Sequence, residues 1–242
     1  NNFNLQQEFN ITLTNEANFS GIKCLDINGI NSCVFKDKRN YVHIINMTSK
    51  SGSFYNTSIY EELRQTVPAI GDIDNDGNAE AVFWFNNDNS SGYGFLAFDL
   101  NERKVKWIVD NIFSPLILGP SLFHQLFVLK GQPVLVDLDN DNKLEIAVSV
   151  FYDDSSQAGF HDDKFTQLFV FSYNGTELFN KCESGVIGCN DNIDPNNAKW
   201  EGTNPFVLDY DKNGIDDICL IKDVKRTAVA GKFSYMGLNC YN

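Results

Sequence analysis

Three copies of one acidic phrase occur in the chain, and their residue types are those that bind a hard cation. Each copy has a proline, carboxylates at alternate positions, a glycine or asparagine, a further carboxylate and then an apolar run. Such carboxylates repel one another, but in a tight loop they converge on a point that a cation can neutralise. Calcium accepts about six to eight oxygen ligands in flexible geometry. The phrase therefore predicts three calcium-binding loops.

We number each loop from its first aspartate: loop 1 is 72–80, loop 2 is 137–145 and loop 3 is 209–217. Positions 1, 3, 5 and 9 are predicted side-chain ligands. Position 7 is predicted to coordinate through its carbonyl, because its residue type varies freely. Position 6 is predicted to need positive φ, which glycine adopts freely and asparagine tolerates. The predicted ligands are Asp72, Asp74, Asp76, Asn78 and Glu80; Asp137, Asp139, Asp141, Lys143 and Glu145; and Asp209, Asp211, Asn213, Ile215 and Asp217.

The opening of the phrase is shared with the EF-hand loop, which also needs a glutamate at position 12 and a helix on either side. Position 12 is Phe83, Val148 and Leu220 in the three copies. The short flanks are rich in β-branched and aromatic residues, which predicts buried strands. An EF-hand is therefore excluded. Acidic hairpin turns without a metal are the other alternative, and three copies in one register, each with a proline four residues upstream, disfavour it.

A fourth, degenerate copy occurs at 23–35, where Gly29 aligns with position 6 and Cys24 takes position 1. Our hypothesis is that a Cys24–Cys33 disulfide closes this hairpin in place of a metal. The six cysteines form no CxxC pair and the chain has three histidines, which argues against zinc. Six cysteines allow fifteen connectivities, and we favour Cys182–Cys189 and, partly by elimination, Cys219–Cys240 as the other pairs.

The strands that must position these loops follow from the repeat length. The first aspartates lie 65 and 72 residues apart, which is long for a helical solenoid and suits a four-stranded propeller blade with insertions. The phrase resembles the FG-GAP or VCBS-type repeat of integrin α-chain propellers, from residue 67 to the C-terminus, and the resemblance includes T-cell-immunomodulatory-protein-like membrane ectodomains as one relative. The resemblance implies a calcium loop between the first two strands of each blade, but no particular activity.

The predicted fold is all-β, a β-propeller or an arc of about four FG-GAP-type blades with calcium-binding hairpin loops. Residues 1–66 are expected to form a degenerate blade region, and 67–131 the blade with loop 1. Residues 132–204 are expected to form the blade with loop 2 and a disulfide insert, and 205–242 a partial blade with loop 3. Because the last region lacks room for all its strands, we favour an arc that further sequence or another chain completes.

Composition limits the partners and the compartment. The net charge of −13 argues against nucleic acid and anionic membranes as partners, and three calcium ions would bring it to −7. The most apolar stretch, 114–136, is interrupted by prolines and is a poor membrane span, so we expect any anchor outside this sequence. The cysteines and sequons favour a secreted or lumenal setting. The predicted glycosylation sites are Asn10, Asn18, Asn46, Asn56, Asn89 and Asn174.

No catalytic motif is recognisable, since the three histidines are scattered and no nucleophile elbow, P-loop or HExxH is present. Trp84 and Trp107 are predicted core residues, whereas Trp200 in a polar insert could stack on a sugar. The preferred function is a non-catalytic extracellular module for adhesion or structure, stabilised by calcium and binding protein or glycan partners. The alternative is an accessory or catalytic propeller domain of a carbohydrate-active or quinone-type enzyme, which would need His, Arg or Glu near the propeller axis.

Overall fold

The computed structural model describes residues 21–37, 41–57, 67–87, 92–113, 127–154, 163–183, 199–202, 204–228 and 231–241. Within these ranges, seventeen strands form four antiparallel sheets, and there is no helix. The prediction of an all-β protein is confirmed. None of the four sheets closes into a barrel in the described part of the chain.

Sheets 1 and 2 are meanders, in which each strand pairs with the next strand along the chain. Sheet 1 contains β1 (Lys23–Ile27), β2 (Ile30–Lys36), β3 (Tyr41–Asn46) and β4 (Ser51–Asn56). Sheet 2 contains β5 (Ala69–Gly71), β6 (Glu80–Asn87), β7 (Gly92–Asp99) and β8 (Lys104–Phe113). Loop 1 joins the first two strands of sheet 2.

Sheets 3 and 4 begin with an interrupted strand. β9 (Phe127–Lys130) and β10 (Val134–Val136) both pair with β11 (Glu145–Asp154), which is followed by β12 (Asp163–Phe171) and β13 (Glu177–Glu183). Likewise, β14 (Lys199–Gly202) and β15 (Phe206–Leu208) both pair with β16 (Asp217–Ala228), and β17 (Gly231–Tyr241) lies on its other side. β9 and β14 thus belong to sheets 3 and 4 although they precede residues 132 and 205, because the repeated phrase marks only the part of the strand next to the loop.

Consecutive sheets pack face to face through three apolar layers, so the four sheets are stacked in sequence order. The layer between sheets 1 and 2 includes Val34, Val42, Phe83, Phe85, Leu96 and Phe98. The layer between sheets 2 and 3 includes Val82, Trp84, Phe95, Ile146, Val148, Phe169 and Phe171. The layer between sheets 3 and 4 includes Ala147, Leu168, Val170, Ile218 and Leu220.

The described residues of the central strands of sheets 2 and 3, β6, β7, β11 and β12, are buried on both faces, which explains their continuous apolar sequences. In β6, Val82 and Trp84 pack towards sheet 3, while Ala81, Phe83 and Phe85 pack towards sheet 1. Because side chains alternate between the faces of a strand, a strand with two covered faces needs an apolar residue at every position. The interpretation of these flanks as buried strands is confirmed.

Two tryptophans bond sheet 2 to sheet 3. Trp84 Nε1 donates to the carbonyl oxygen of Gly131 at 2.8 Å, and Trp107 Nε1 donates to the carbonyl oxygen of Tyr173 at 2.8 Å. Trp84 is 2% exposed, and Trp107 packs against the same apolar layer. Both are core residues, as predicted. The backbone of Trp200 lies in β14, and its role in sugar binding stays a prediction.

The structure contains two of the three predicted disulfides. Cys24 and Cys33 are bonded between β1 and β2, and Cys219 and Cys240 are bonded between β16 and β17. These two pairings are confirmed, whereas Cys182–Cys189 lies outside the described residues because it includes position 189. Structural disulfides indicate an oxidising, extracellular type of environment. Nowhere in the described ranges does a helix have the length and apolar character needed to cross a membrane.

Candidate metal centres

The three acidic loops occupy equivalent places in sheets 2, 3 and 4. Each loop joins two antiparallel strands, β5–β6, β10–β11 or β15–β16, and its position 9 is the first residue of the second strand. That residue is always opposite the last residue of the first strand. The pairs are Gly71 with Glu80, Val136 with Glu145, and Leu208 with Asp217. The loops therefore share one register as well as one sequence pattern.

The loops also share one pattern of side-chain hydrogen bonds to the backbone. The carboxylate at position 1 accepts hydrogen bonds from the backbone N–H groups of positions 5 and 6, at 2.9 to 3.2 Å in all three loops. The side-chain oxygen at position 5 accepts one from position 7, at 2.7 to 2.8 Å. The carboxylate at position 9 accepts one from position 2, at 2.7 to 3.1 Å. These bonds hold the acidic side chains in the interior of each loop.

The loop backbone turns through two residues with positive φ. Position 6 has φ of 89° at Gly77, 66° at Asn142 and 88° at Gly214, so the prediction for this position is confirmed. Position 4 also has positive φ, which sequence reasoning missed. Its residues are Asn75 (60°), Asn140 (59°) and Lys212 (60°). The asparagines were a usable signal in loops 1 and 2, whereas the lysine concealed it in loop 3.

Three carboxylates converge in each loop. Ligand atoms from positions 1, 3 and 9 lie within 4.8 Å of one another in the groups Asp72–Asp74–Glu80, Asp137–Asp139–Glu145 and Asp209–Asp211–Asp217. The groups contain oxygen donors only, which suits hard cations such as calcium, magnesium or manganese. The donor set therefore fits the predicted ion. Coordination by the position 7 carbonyls, those of Asn78, Lys143 and Ile215, stays a prediction.

Position 5 is not part of these three groups. Asp141 and Asn213 lie outside them, while Asp76 forms a separate group with Glu80 and Asp99. Asp99 is buried at the end of β7, and its Oδ1 atom accepts hydrogen bonds from the backbone N–H groups of Asn101 and Glu102. Sequence reasoning missed Asp99, because nothing in its local sequence distinguishes it from other acidic residues in turns.

The carboxylate at position 9 is the most buried member of each group. Glu80 is 0% exposed, Glu145 5% and Asp217 4%. Burial raises the pKa of Glu145, a hydrogen bond from Leu138 N–H opposes the rise, and repulsion by Asp139 adds to it. A buried carboxylate beside other acids is stabilised when a cation binds next to it. Loop 2 therefore has the electrostatic character of a cation site.

Loop 1 differs because Lys106 of β8 reaches into it. Lys106 Nζ lies 2.6 Å from Asp74 Oδ2, 2.9 Å from Glu80 Oε1 and 3.3 Å from Asp76 Oδ2. Burial lowers the pKa of Lys106, but hydrogen bonds to Asp74 and Glu80 outweigh it and hold the pKa well above its usual value. Burial also raises the pKa of Glu80, against the effect of Lys106. Sequence reasoning missed Lys106 altogether.

Loops 1 and 2 are hydrogen-bonded to each other along one edge of the stack. The backbone N–H of Leu144 in loop 2 donates to the carbonyl oxygen of Ile73 in loop 1, at 2.9 Å. Gly71 lies close by, where an added Cβ would be 2.9 Å from the side chain of Leu135. Loops 1 and 2 are therefore held side by side, and a rearrangement of one loop would displace backbone atoms of the other.

The degenerate copy in sheet 1 lies at the same edge but has a different structure. β1 and β2 are joined by a tight turn at Asn28 and Gly29, which have φ of 52° and 79°. Asp26 Oδ1 accepts a hydrogen bond from Gly29 N–H at 2.6 Å. Asn28 donates to Asn101, which donates to Asn78 of loop 1. No acidic group is gathered here within the described residues, and a disulfide closes the hairpin, as our hypothesis requires.

The described sequons lie at strand ends and turns. Asn46 and Asn56 end β3 and β4, and Asn174 lies in the turn between β12 and β13. Asn56 and Asn174 are exposed, whereas Asn46 is half-buried and accepts hydrogen bonds from the backbone of Thr48 and Ser49. Glycosylation of these residues stays a prediction, and positions 10, 18 and 89 lie outside the described ranges.

Comparisons with known proteins assign no family to this chain. No protein-family model matches the sequence, and no curated protein matches it either. Its function must be inferred from the acidic loops, the stacked sheets and the disulfides.

Replacing the buried glutamates of loops 1 and 2 by glutamine should affect the stability of the calcium-free protein differently. Glu145→Gln keeps an acceptor for Leu138 N–H and removes a buried charge, so we expect an unchanged or slightly higher melting temperature at neutral pH. Glu80→Gln removes an anionic partner of Lys106, so we expect a loss of about 1–3 kcal/mol in the free energy of unfolding. Thermal melts in EDTA would measure both effects.

The pH dependence of stability provides the control for these two variants. The pKa of Glu145 is raised in the folded state, so its contribution to stability is complete below the unfolded pKa and is lost as pH rises through the folded pKa. Any advantage of Glu145→Gln should therefore be present at neutral pH and disappear in acid, where the wild-type glutamate is protonated. An equal loss of stability for both variants at neutral pH would contradict the contrast between the two loops.

Proposed function

We propose that the chain is a non-catalytic extracellular module in which calcium stabilises propeller-like blades that present loops to protein or glycan partners. The observation that carries this proposal is the threefold recurrence of one loop, with the same register, the same hydrogen bonds and the same convergence of three carboxylates. An isolated acidic turn is common without a metal, whereas three such loops in equivalent places of three sheets support a shared ligand.

In each loop, some groups would bind the ion and others orient the groups that bind it. The carboxylates at positions 1, 3 and 9 supply converging oxygen atoms, and the backbone N–H groups of positions 2, 5 and 6 orient the first and last of these carboxylates. Calcium, when bound, neutralises their mutual repulsion. The chain thereby keeps a buried acid at the start of a core strand, which would otherwise reduce stability.

The serial stacking of sheets supports blades that follow one another around an arc. Sheets 2 and 3 each contribute side chains to two apolar layers, whereas sheets 1 and 4 contribute to one layer each and are terminal. Most of the described large apolar side chains that are exposed belong to the terminal sheets or flank them: Ile22, Ile30, Met47, Phe54, Leu208, Tyr210 and Leu238. We propose that further sequence or another chain continues the stack at one or both ends, as in proteins with FG-GAP-type repeats.

One feature of the described residues could support the enzyme alternative, and this is an Asp–His pair in sheet 1. His43 Nε2 lies 2.8 Å from Asp37 Oδ2, and the His43 ring stacks on Phe35 with centroids 4.7 Å apart. Asp37 is buried, and its other oxygen accepts a hydrogen bond from Tyr41 N–H. The pair thus closes the connection from β2 to β3, which favours a structural role. A glycan array and a panel of hydrolase substrates would distinguish binding from catalysis.

Loss of one ligand should reduce stability only when calcium is present. For Asp139→Ala, we expect the melting temperature to fall in millimolar calcium, because a site saturated at a hundredfold excess of calcium contributes about 2.7 kcal/mol. In EDTA, we expect little change, since the Asp139 side chain forms no ion pair with the described residues, and the loss of its 3.2 Å hydrogen bond from Asp141 N–H is offset by relief of its repulsion with Glu145. Thermal melts in the two buffers measure the difference. Equal losses in both buffers would contradict a metal role for loop 2.

A further inference from the structure

Loop 1 already holds a cation from its own chain, which the sequence repeat does not show. Lys106 Nζ lies 2.6 Å from Asp74 Oδ2, 2.9 Å from Glu80 Oε1 and 3.3 Å from Asp76 Oδ2. These residues are positions 3, 9 and 5 of the loop. The ammonium group therefore contacts three of the four carboxylates that the sequence assigns to calcium.

Loop 2 has no equivalent lysine, and the strand register shows why. In sheet 2, Lys106 is the unpaired residue at the register shift of the β7–β8 hairpin nearest its turn. In sheet 3, the unpaired residue at the matching shift of the β12–β13 hairpin is Leu178, which is 58% exposed. Leucine cannot neutralise an acid. The two hairpins thus carry a cation and an apolar side chain at corresponding register positions of their sheets.

The lysine within loop 2 does not replace Lys106. Lys143 Nζ lies 4.0 Å from Asp141 Oδ2 and over the ring of Tyr173, 4.3 Å from its centroid. Positions 3 and 9 of loop 2, Asp139 and Glu145, form no ion pair with any described residue. The acidic residues of loop 3 likewise form no ion pair within the described ranges. Loop 1 is therefore the loop whose charge is already partly balanced.

We infer that Lys106 is a tethered counter-cation that competes with calcium for loop 1, so that loops 2 and 3 bind calcium tightly and loop 1 binds it at least tenfold more weakly. This inference rests on the proposed calcium role of the loops. Calcium in loop 1 needs oxygen atoms of Asp74 and Glu80 that the ammonium already contacts, and the two cations would repel each other. Asp74 Oδ1 is buried without a hydrogen-bond partner among the described residues, so an acceptor remains for calcium once the ammonium withdraws.

Exchanging the two side chains tests this inference. Lys106→Leu gives loop 1 the surroundings of loop 2, and Leu178→Lys gives loop 2 those of loop 1. Lys104→Leu is the matched control, because it removes the same charge from β8, where Lys104 pairs with Glu102 at the surface. The measurement is calorimetric titration of the decalcified full chain with calcium chloride.

The expected number of tight sites distinguishes Lys106→Leu and Leu178→Lys from the wild type and from the control. We expect two tight sites and one weak site in the wild type and in Lys104→Leu, three tight sites in Lys106→Leu, and one tight site in Leu178→Lys. To assign the sites, Asp137→Asn should remove a tight site, whereas Asp72→Asn should remove only the weak one.

Failure of the inference is distinguishable from failure of the calcium proposal. Three equally tight sites in the wild type, or a titration of Lys106→Leu that matches the wild type, would overturn the role of Lys106 and leave calcium binding in place. If Lys106→Leu does not fold, Leu178→Lys decides, since two unchanged tight sites in that variant would overturn the inference. An absence of binding at millimolar calcium in the wild type would overturn both proposals.

Discussion

Removal of calcium by EDTA should lower the melting temperature of the protein by about 10–20 °C, the largest effect of any change in conditions that we expect. Two tight sites, each at a hundredfold excess of calcium over its dissociation constant, contribute about 5 kcal/mol together. In a chain of this length, each kcal/mol shifts the melting temperature by about 2–4 °C. Thermal unfolding followed by circular dichroism, in EDTA and in millimolar calcium, measures the shift.

Replacing calcium by other cations is the control for this experiment. Magnesium at the same ionic strength should restore less of the lost stability, because it needs near-ideal octahedral geometry and gives up its water reluctantly. Potassium should restore none beyond the general effect of salt. If the melting temperature were the same in EDTA and in calcium, the acidic loops would have to be stable by their hydrogen bonds alone, and the proposed role of the ion would be wrong.

Trp84→Ala should cause the largest loss among core substitutions, about 3–5 kcal/mol in the free energy of unfolding. Trp84 is 2% exposed and packs edge-on against Phe95, with ring centroids 6.0 Å apart. Its Nε1 atom also donates to the carbonyl oxygen of Gly131, which lies between β9 and β10 of sheet 3. The truncation therefore opens a cavity between sheets 2 and 3 and leaves a buried carbonyl without its donor. Urea unfolding in saturating calcium measures the loss.

Two further variants separate the contributions to this loss. Trp84→Phe keeps an aromatic ring in the layer but removes the hydrogen bond, so we expect a smaller loss of about 1–3 kcal/mol. Trp107→Ala is the matched control, because Trp107 forms a similar bond to Tyr173 but is only half-buried. Its loss should be smaller than that of Trp84→Ala. A loss below about 1 kcal/mol for Trp84→Ala would show that the layer between sheets 2 and 3 does not hold the stack together.

The hydrogen bond between loops 1 and 2 leads us to expect that the two proposed calcium sites influence each other. The bond from Leu144 N–H to the Ile73 carbonyl oxygen joins loops 1 and 2 through residues next to predicted ligands of each. An ion that orders loop 2 would also restrain the segment of loop 1 that precedes Asp74. In the proposed arc, an edge of linked loops would act as a rigid support for the connections that we propose contact partners.

Local features of the structure could be predicted from the sequence, because residues close in the chain determine them. The positive φ at Gly77 and Gly214, the strand character of the flanks and the Cys24–Cys33 pair all depend on short segments. An acidic loop is a local object, since its hydrogen bonds join residues only two to seven positions apart. The residue types alone predicted the carboxylates at positions 1, 3 and 9 that converge in each loop, but they also assigned position 5, which is not part of those groups.

The surroundings of each loop depend on strand register and sheet packing, which bring residues together that are distant in the sequence. Lys106 reaches Asp74 because it is itself the unpaired residue at a register shift in the third hairpin of sheet 2, and no pattern in the segment around Lys106 encodes that contact. The interrupted strands β9 and β14 join their sheets by pairing across chain segments that the repeat does not mark. Three similar acidic loops follow from the residue types alone, whereas only the folded structure brings Lys106 into loop 1 and partly balances its charge.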